Sequence, residues 1–211
     1  MNYRTFKIGK IATSTLELLD ITKAWLAIAL AFTIAFSGIS LMGGSLSGLF
    51  SIQFFILFIV SLFTVGIGFL FHEMAHKIVA QRYGCMAEFR AFDQMLVLAV
   101  ALALVFGMTF VAPGAVMISG MITRKENGII SAAGPLTNYA LGLVFLGLGY
   151  LFPAASFIFS VGFQVNFWLG LFNMIPFLNF DGAKIINWNI AVWLGMVATG
   201  IFFLFGLQFI G

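Results

Sequence analysis

Charged residues fall in short clusters along this chain, and four uncharged runs lie between them: 24–71, 94–123, 127–180 and 185–211. Each run can hold at least one membrane span of about 20 residues. The first run divides at the uncharged turn Gly43-Gly44-Ser45-Leu46-Ser47-Gly48. This predicts one span from about Ala24 to Gly43 and a second from near Ser51 to about Tyr83, with Gly84 placed to cap the helix C-terminus. A helix of about 33 residues exceeds the bilayer, so the second span should project past it with Lys77 and Arg82. Later spans are expected from Ser131 to about Phe152, with Pro135 in the first turn, from about Ser156 to Ile175, and from about Trp188 to Ile210.

Period-two alternation occurs in two places. Residues 3–11 set Phe6, Ile8 and Ile11 between lysines, which reads as a short edge strand or an interfacial segment. In 87–93, Glu88 and Arg90 face one way and the phenylalanines the other. The run that follows, Met95 to Ala112, would be taken by hydropathy alone as a sixth span, with about 111–118 as the place for a returning strand. The positive cluster Arg4, Lys7, Lys10 and Lys23 puts the N-terminus in the cytoplasm. If Arg124, Lys125 and Glu126 are cytoplasmic like Lys77, Arg82 and Arg90, the chain between must leave and return on one side. A short helix to about Phe106, a turn at Gly107 and a returning strand would do so, provided that this backbone is packed in protein or lines a wet cavity.

With 62% hydrophobic and 8% charged residues, the chain lacks the polar residues to cover a soluble domain of 211 residues. The expected fold class is therefore an α-helical polytopic membrane protein. It has about five to six transmembrane helices, a re-entrant helix/strand element and short membrane-associated β-strands. It should form one integral membrane domain over 1–211, with a core at about 51–187. The net charge of +3 reports topology rather than a nucleic-acid surface. A single cysteine, Cys85, excludes an internal disulfide framework. The first run is longer than a signal-peptide core and reads as a retained helix.

Against this background the stretch His72-Glu73-Met74-Ala75-His76 stands out, because it holds the chain's only two histidines and lies in the second span. Residues four apart share a helix face, so both imidazoles can reach one tetrahedral ion. Glu73 lies beside the metal without ligating it, placed to take a proton from water. Ionisable side chains at lipid depth are costly and are functional by default. A catalytic zinc needs a third protein ligand, either a carboxylate or Cys85. Glu17, Asp20, Glu88, Asp93 and Glu126 are available. Asp181 differs from them in ending a long apolar span at a Pro- and Gly-punctuated turn, level with the end of the zinc helix.

Taken together, His72-Glu73-x-x-His76, Ala133-Gly134-Pro135-Leu136-x-Asn138, and Asn173-x-x-Pro176 followed by Asp181-Gly182 resemble the site-2 protease family of intramembrane zinc metalloproteases. The three elements occur in family order and cover most of the chain. The resemblance implies a minimal prokaryotic form without a PDZ domain, holding one zinc on His72, His76 and Asp181. It implies that Glu73 is catalytic and that Asn173 helps to hold substrate or the developing oxyanion. The expected activity is hydrolysis of peptide bonds in or next to transmembrane segments, as in regulated intramembrane proteolysis. The expected partners are a transmembrane protein substrate and the lipid bilayer, and no nucleic acid. The expected location is the cell membrane, multi-pass, with the active site toward the cytoplasm. Alternatives are a proteolytically inactive zinc-binding relative, or a membrane transporter. The retained Glu73 argues against the first. A transporter would be expected to show internal repeats and ionisable residues on several spans.

Overall fold

A computed structural model describes residues 4–44, 46–49, 51–108 and 113–206. Its backbone packing separates two compact units, one of residues 1–70 and 88–117 and one of residues 71–87 and 118–211. Four helices are long and apolar enough to cross a membrane: Thr15–Ser37, Ile52–Arg82, Arg124–Leu151 and Pro153–Phe172. Two shorter apolar helices are Asp93–Phe106 and Ile190–Gly206. The chain is a helical membrane protein with two small sheets.

The first unit opens with β1 (Thr5–Ile8) and β2 (Ile11–Ser14), paired antiparallel with Thr5 opposite Ser14 and Ile8 opposite Ile11. Helix α1 (Thr15–Ser37) starts and ends earlier than the expected span of 24–43. Its start is set by Ser14, whose hydroxyl accepts from the Glu17 N–H at 3.2 Å, and its end by Gly38 in the left-handed region at φ 69°. Glu17 is therefore inside the helix and fully buried. Its carboxylate accepts from the Thr13 hydroxyl at 2.6 Å and from the Phe89 N–H at 2.9 Å.

The second span matches its expected limits, but not as one regular helix. Helix α2 (Ile52–Ser61) passes through a π-helical turn, Leu62–Gly66, into α3 (Ile67–Arg82). In such a turn the ladder of hydrogen bonds is offset by one residue. The Leu62 carbonyl accepts from the Trp25 indole N–H at 3.0 Å, and the indole lies over Gly66, where an added Cβ would come within 2.4 Å of Nε1.

The apolar run after β3 (Met86–Ala91) forms α4 (Asp93–Phe106), 14 residues long. A helix of that length rises about 21 Å, short of a hydrocarbon layer of about 30 Å. It ends at Gly107, φ 73°. The Ala103 carbonyl is taken by Gly107 N–H at 2.8 Å, and those of Leu104 and Val105 by the N–H groups of Leu41 at 2.8 Å and Met42 at 3.1 Å. The chain then comes back. The Phe92 N–H, just before α4, donates to the Pro113 carbonyl at 2.9 Å, and β4 (Gly114–Ser119) pairs with β3. Residues 111 and 112 of the expected returning strand, with 109 and 110 before them, lie outside the described residues.

In the second unit α5 (Arg124–Leu151) begins before the expected Ser131. Thr123 and Glu126 form a capping box, so the charged cluster is the helix's first turn and not the loop before it. Pro135 is consequently interior. It lacks the N–H that would bond the Ser131 carbonyl. A 3₁₀ turn, Pro153–Ala155, leads to α6 (Ser156–Phe172), near its expected limits. Glycines at 142, 162 and 170 let the two helices approach: a Cβ at each would fall 2.5–2.6 Å from a ring of Phe167, Phe145 or Tyr139. The last expected span, about 188–210, begins near its expected limit and is preceded by a short helix. Helix α7 (Asp181–Trp188) stops at Asn189, whose extended backbone and side-chain cap start α8 (Ile190–Ile201), continued by a second π turn, Phe202–Gly206. Residues 207–210 lie outside the described residues.

Candidate metal centre

All parts of this site belong to the second unit. Helix α3 sets His72 and His76 one turn apart on one face, both buried, with ring centroids 4.6 Å apart. Asp181 arrives as the first residue of α7. The turn between α6 and α7 is folded back by a bond from Gly182 N–H to the Asn173 carbonyl at 2.7 Å, and the Trp193 indole pins the Met174 carbonyl at 2.8 Å. An added Cβ at 182 would lie 2.2 Å from the Met174 oxygen, so the residue after the aspartate must be glycine for the turn to close.

The two Nε2 atoms are 3.0 Å apart, and each is 3.2 Å from Asp181 Oδ2. The Nδ1 atoms point away from this triangle, His72 to Asn138 Oδ1 at 2.6 Å and His76 to the Ile130 carbonyl at 2.8 Å. A carbonyl can only accept, so His76 Nδ1 is the donor and its Nε2 turns a lone pair toward the triangle. With their Nδ1 atoms turned outward, two imidazole nitrogens and a carboxylate oxygen converge, a donor set suited to a cation.

The donor set fits zinc. Around a tetrahedral zinc with bonds of about 2.0–2.1 Å, ligand atoms sit about 3.3 Å apart, close to the three separations found. Gly134 keeps that place open: a Cβ there would lie 2.4 Å from His76 Nε2 and 2.6 Å from His72 Nε2. Among the described residues, His72, His76 and Asp181 are the group of possible ligands that converges, and Cys85, buried elsewhere in the unit beside Gly120, is not part of it. Glu73 is half-buried beside His72 on the same helix, and its carboxylate acts electrostatically on His76.

Asn173 caps the C-terminus of α6. Its side-chain N–H donates to the Leu169 carbonyl at 2.9 Å. Four contributors to the site carried no role in the sequence reading: the Ile130 carbonyl, Gly134, Asn138 and Asn166. Asn138 Nδ2 donates to Asn166 Oδ1 at 3.1 Å, and Asn166 Nδ2 to the Gly162 carbonyl at 2.8 Å. An asparagine in the middle of an apolar span, as Asn166 is, was a visible signal. A backbone carbonyl leaves none.

The chain is 44% identical over 181 residues to "Putative zinc metalloprotease MJ0611" of Methanocaldococcus jannaschii, an alignment that takes in 84% of this chain and 86% of that one. The chain belongs to the site-2-protease-like family of zinc metalloproteases. More distant similarity extends to "Zinc metalloprotease MJ0392" of the same organism, 27% identical over 160 residues and 74% of this chain. It extends also to "Putative zinc metalloprotease Rip3" of Mycobacterium tuberculosis, 26% over 169 residues and 77% of this chain. This chain spans 39% of the length of each of those two. No family model matches the chain, and no solved structure matches it. The family's relatives imply zinc, in agreement with the donor set.

Proposed function

We propose that this zinc metalloprotease works inside the membrane, cutting peptide bonds in or next to transmembrane segments of protein substrates. The reading is carried by the triangle of His72 Nε2, His76 Nε2 and Asp181 Oδ2, built on helix α3 of a membrane-spanning segment. His72, His76 and Asp181 hold one zinc. When bound, that ion acidifies water and polarises a carbonyl. Glu73 takes the proton of the attacking water and later returns it to the leaving amine, the general acid–base role for which its place next to His72 suits it. Asn173 offers one further hydrogen bond to the developing oxyanion. One of its side-chain hydrogens is engaged by Leu169, and the amide carries a second.

A helical substrate hides its peptide groups, so it must be unwound before it is cut. Strands β3 and β4 offer backbone donors and acceptors along which an extended segment can be laid. The charge pattern of the clusters flanking the spans supports a multi-pass protein in the cell membrane, N-terminus and site toward the cytoplasm.

Purified protein reconstituted with single-span test substrates decides between this reading and a binding protein without hydrolytic activity. Wild-type chain should cut them, chelation should stop it, and zinc should restore it. Glu73→Gln should retain zinc and lose turnover by about two to four orders of magnitude or more. Near-normal hydrolysis by that variant removes Glu73 from the mechanism.

A further inference from the structure

Lys23 and Asp93 each close a charged stretch just ahead of a long uncharged run, so both stand where the chain enters the membrane. The fold of the first unit brings them together: Lys23 Nζ lies 2.7 Å from Asp93 Oδ1 and 3.1 Å from Asp20 Oδ1. Two carboxylates against one ammonium leave one negative charge over. Asp20 is buried, whereas the Asp93 side chain is 74% exposed, so the surplus is within reach at Asp93. An ammonium has three hydrogens and two are engaged here, which leaves Lys23 one to give. Below this pair a groove of about 560 Å³ opens between α1, α2 and α4, walled by Leu26, Leu30, Phe58, Val97 and Val100. It follows α1 from residue 23 to 30 and α4 from 93 to 100, about 10 Å along each. Beyond it α1 and α4 close on each other, with Ala31, Ile34 and Ala103 buried in one cluster. A spanning helix needs about 30 Å of wall, and this groove ends after about a third of that.

We infer that the groove seats an acyl chain of one membrane lipid whose headgroup carries a primary ammonium beside its phosphate, as phosphatidylethanolamine does. The ammonium donates to the Asp93 carboxylate, and a phosphate oxygen accepts the remaining Lys23 hydrogen. An anionic headgroup would meet the surplus negative charge, and a quaternary ammonium has no hydrogen to donate. The chain lies over Leu26 and Val97, which the protein itself leaves exposed along the mouth of the groove.

Lipids with the same diazirine in the acyl chain and different headgroups test this in bilayers that hold the whole protein. Phosphatidylethanolamine should label 23–30 and 93–100 about three- to fivefold more than phosphatidylcholine, the range of an exposed ion pair, and phosphatidylglycerol should label them least. Phe55, Ile56 and Ile59, exposed on α2, should take up all three alike. Asp93→Asn should bring the ethanolamine preference in the groove to about one and leave the labelling of α2 unchanged. Equal labelling of the groove by the three lipids in wild type would mean ordinary boundary lipid and overturn the inference, as would a preference that survives Asp93→Asn or one for phosphatidylglycerol. A single-span test substrate crosslinked along 93–100 in place of lipid would make this a protein-docking face and overturn it too. Should Asp93→Asn fail to fold, N-methylated phosphatidylethanolamines with the wild-type chain still decide. Labelling of the groove should fall as the ammonium hydrogens are replaced, and an even response overturns the assignment.

Discussion

Asp181 brings the site's charge. The two histidines offer neutral nitrogens once their Nδ1 atoms have donated, so the carboxylate alone among the three ligands offsets part of the ion's charge. Asp181→Ala should therefore release zinc on gel filtration under conditions where the wild type keeps it, and metal analysis of the recovered protein checks this. Cys85→Ala should retain zinc as wild type does. The opposite pair of results would make Cys85 the third ligand. At this scale the sequence was most legible where placement follows local spacing: His72 and His76 lie one helical turn apart, and helix geometry alone places two nitrogens together. Asp181 needed the turn after α6, which residue spacing does not describe. The Ile130 carbonyl could not be read at all, since every residue has one and only the fold aims it.

Among the elements, the span 52–82 shows how a regular pattern conceals an irregular helix. No charge interrupts it before Glu73, and hydropathy does not mark the π turn at Leu62–Gly66. The signal lay in another helix, in the paired presence of Trp25 and Gly66. Trp25→Phe keeps the ring packing over Gly66 and deletes the donor to the Leu62 carbonyl. It should cost about 0.5–1.5 kcal/mol, the usual net value of such a bond. Reversible unfolding in mixed micelles, compared with wild type, measures it, and an unchanged stability would mean that the π turn holds without the indole. Helix α5 teaches the converse. Thr123-x-x-Glu126 is a capping box, but its charges lie outside the uncharged run, so hydropathy starts the helix at Ser131 and puts Pro135 in its first turn, where the helix in fact begins at Arg124.

For the molecule as a whole, what matters is how many times the chain crosses. The bond between Phe92 and Pro113 returns the chain to its starting place, and α4 is too short to cross. Both accord with the expectation of five complete crossings with 95–118 re-entrant, where hydropathy alone counts six. Single cysteines at 124–127 in a Cys85→Ser background should react only with reagents admitted to the cytoplasmic side, and labelling from outside would restore the sixth crossing. The grouping into spans was legible because lipid demands long uncharged runs. The expectation of a re-entrant path comes only from the placing of positive charge, since α4 is as apolar as any span. Its far end also carries an implication for how the protein is made. The last carbonyls of α4 are met by Leu41 and Met42, which follow α1 and leave the ribosome some sixty residues earlier. The donors are thus already synthesised when the acceptors emerge, and a helix that stops at lipid depth never has to wait for them.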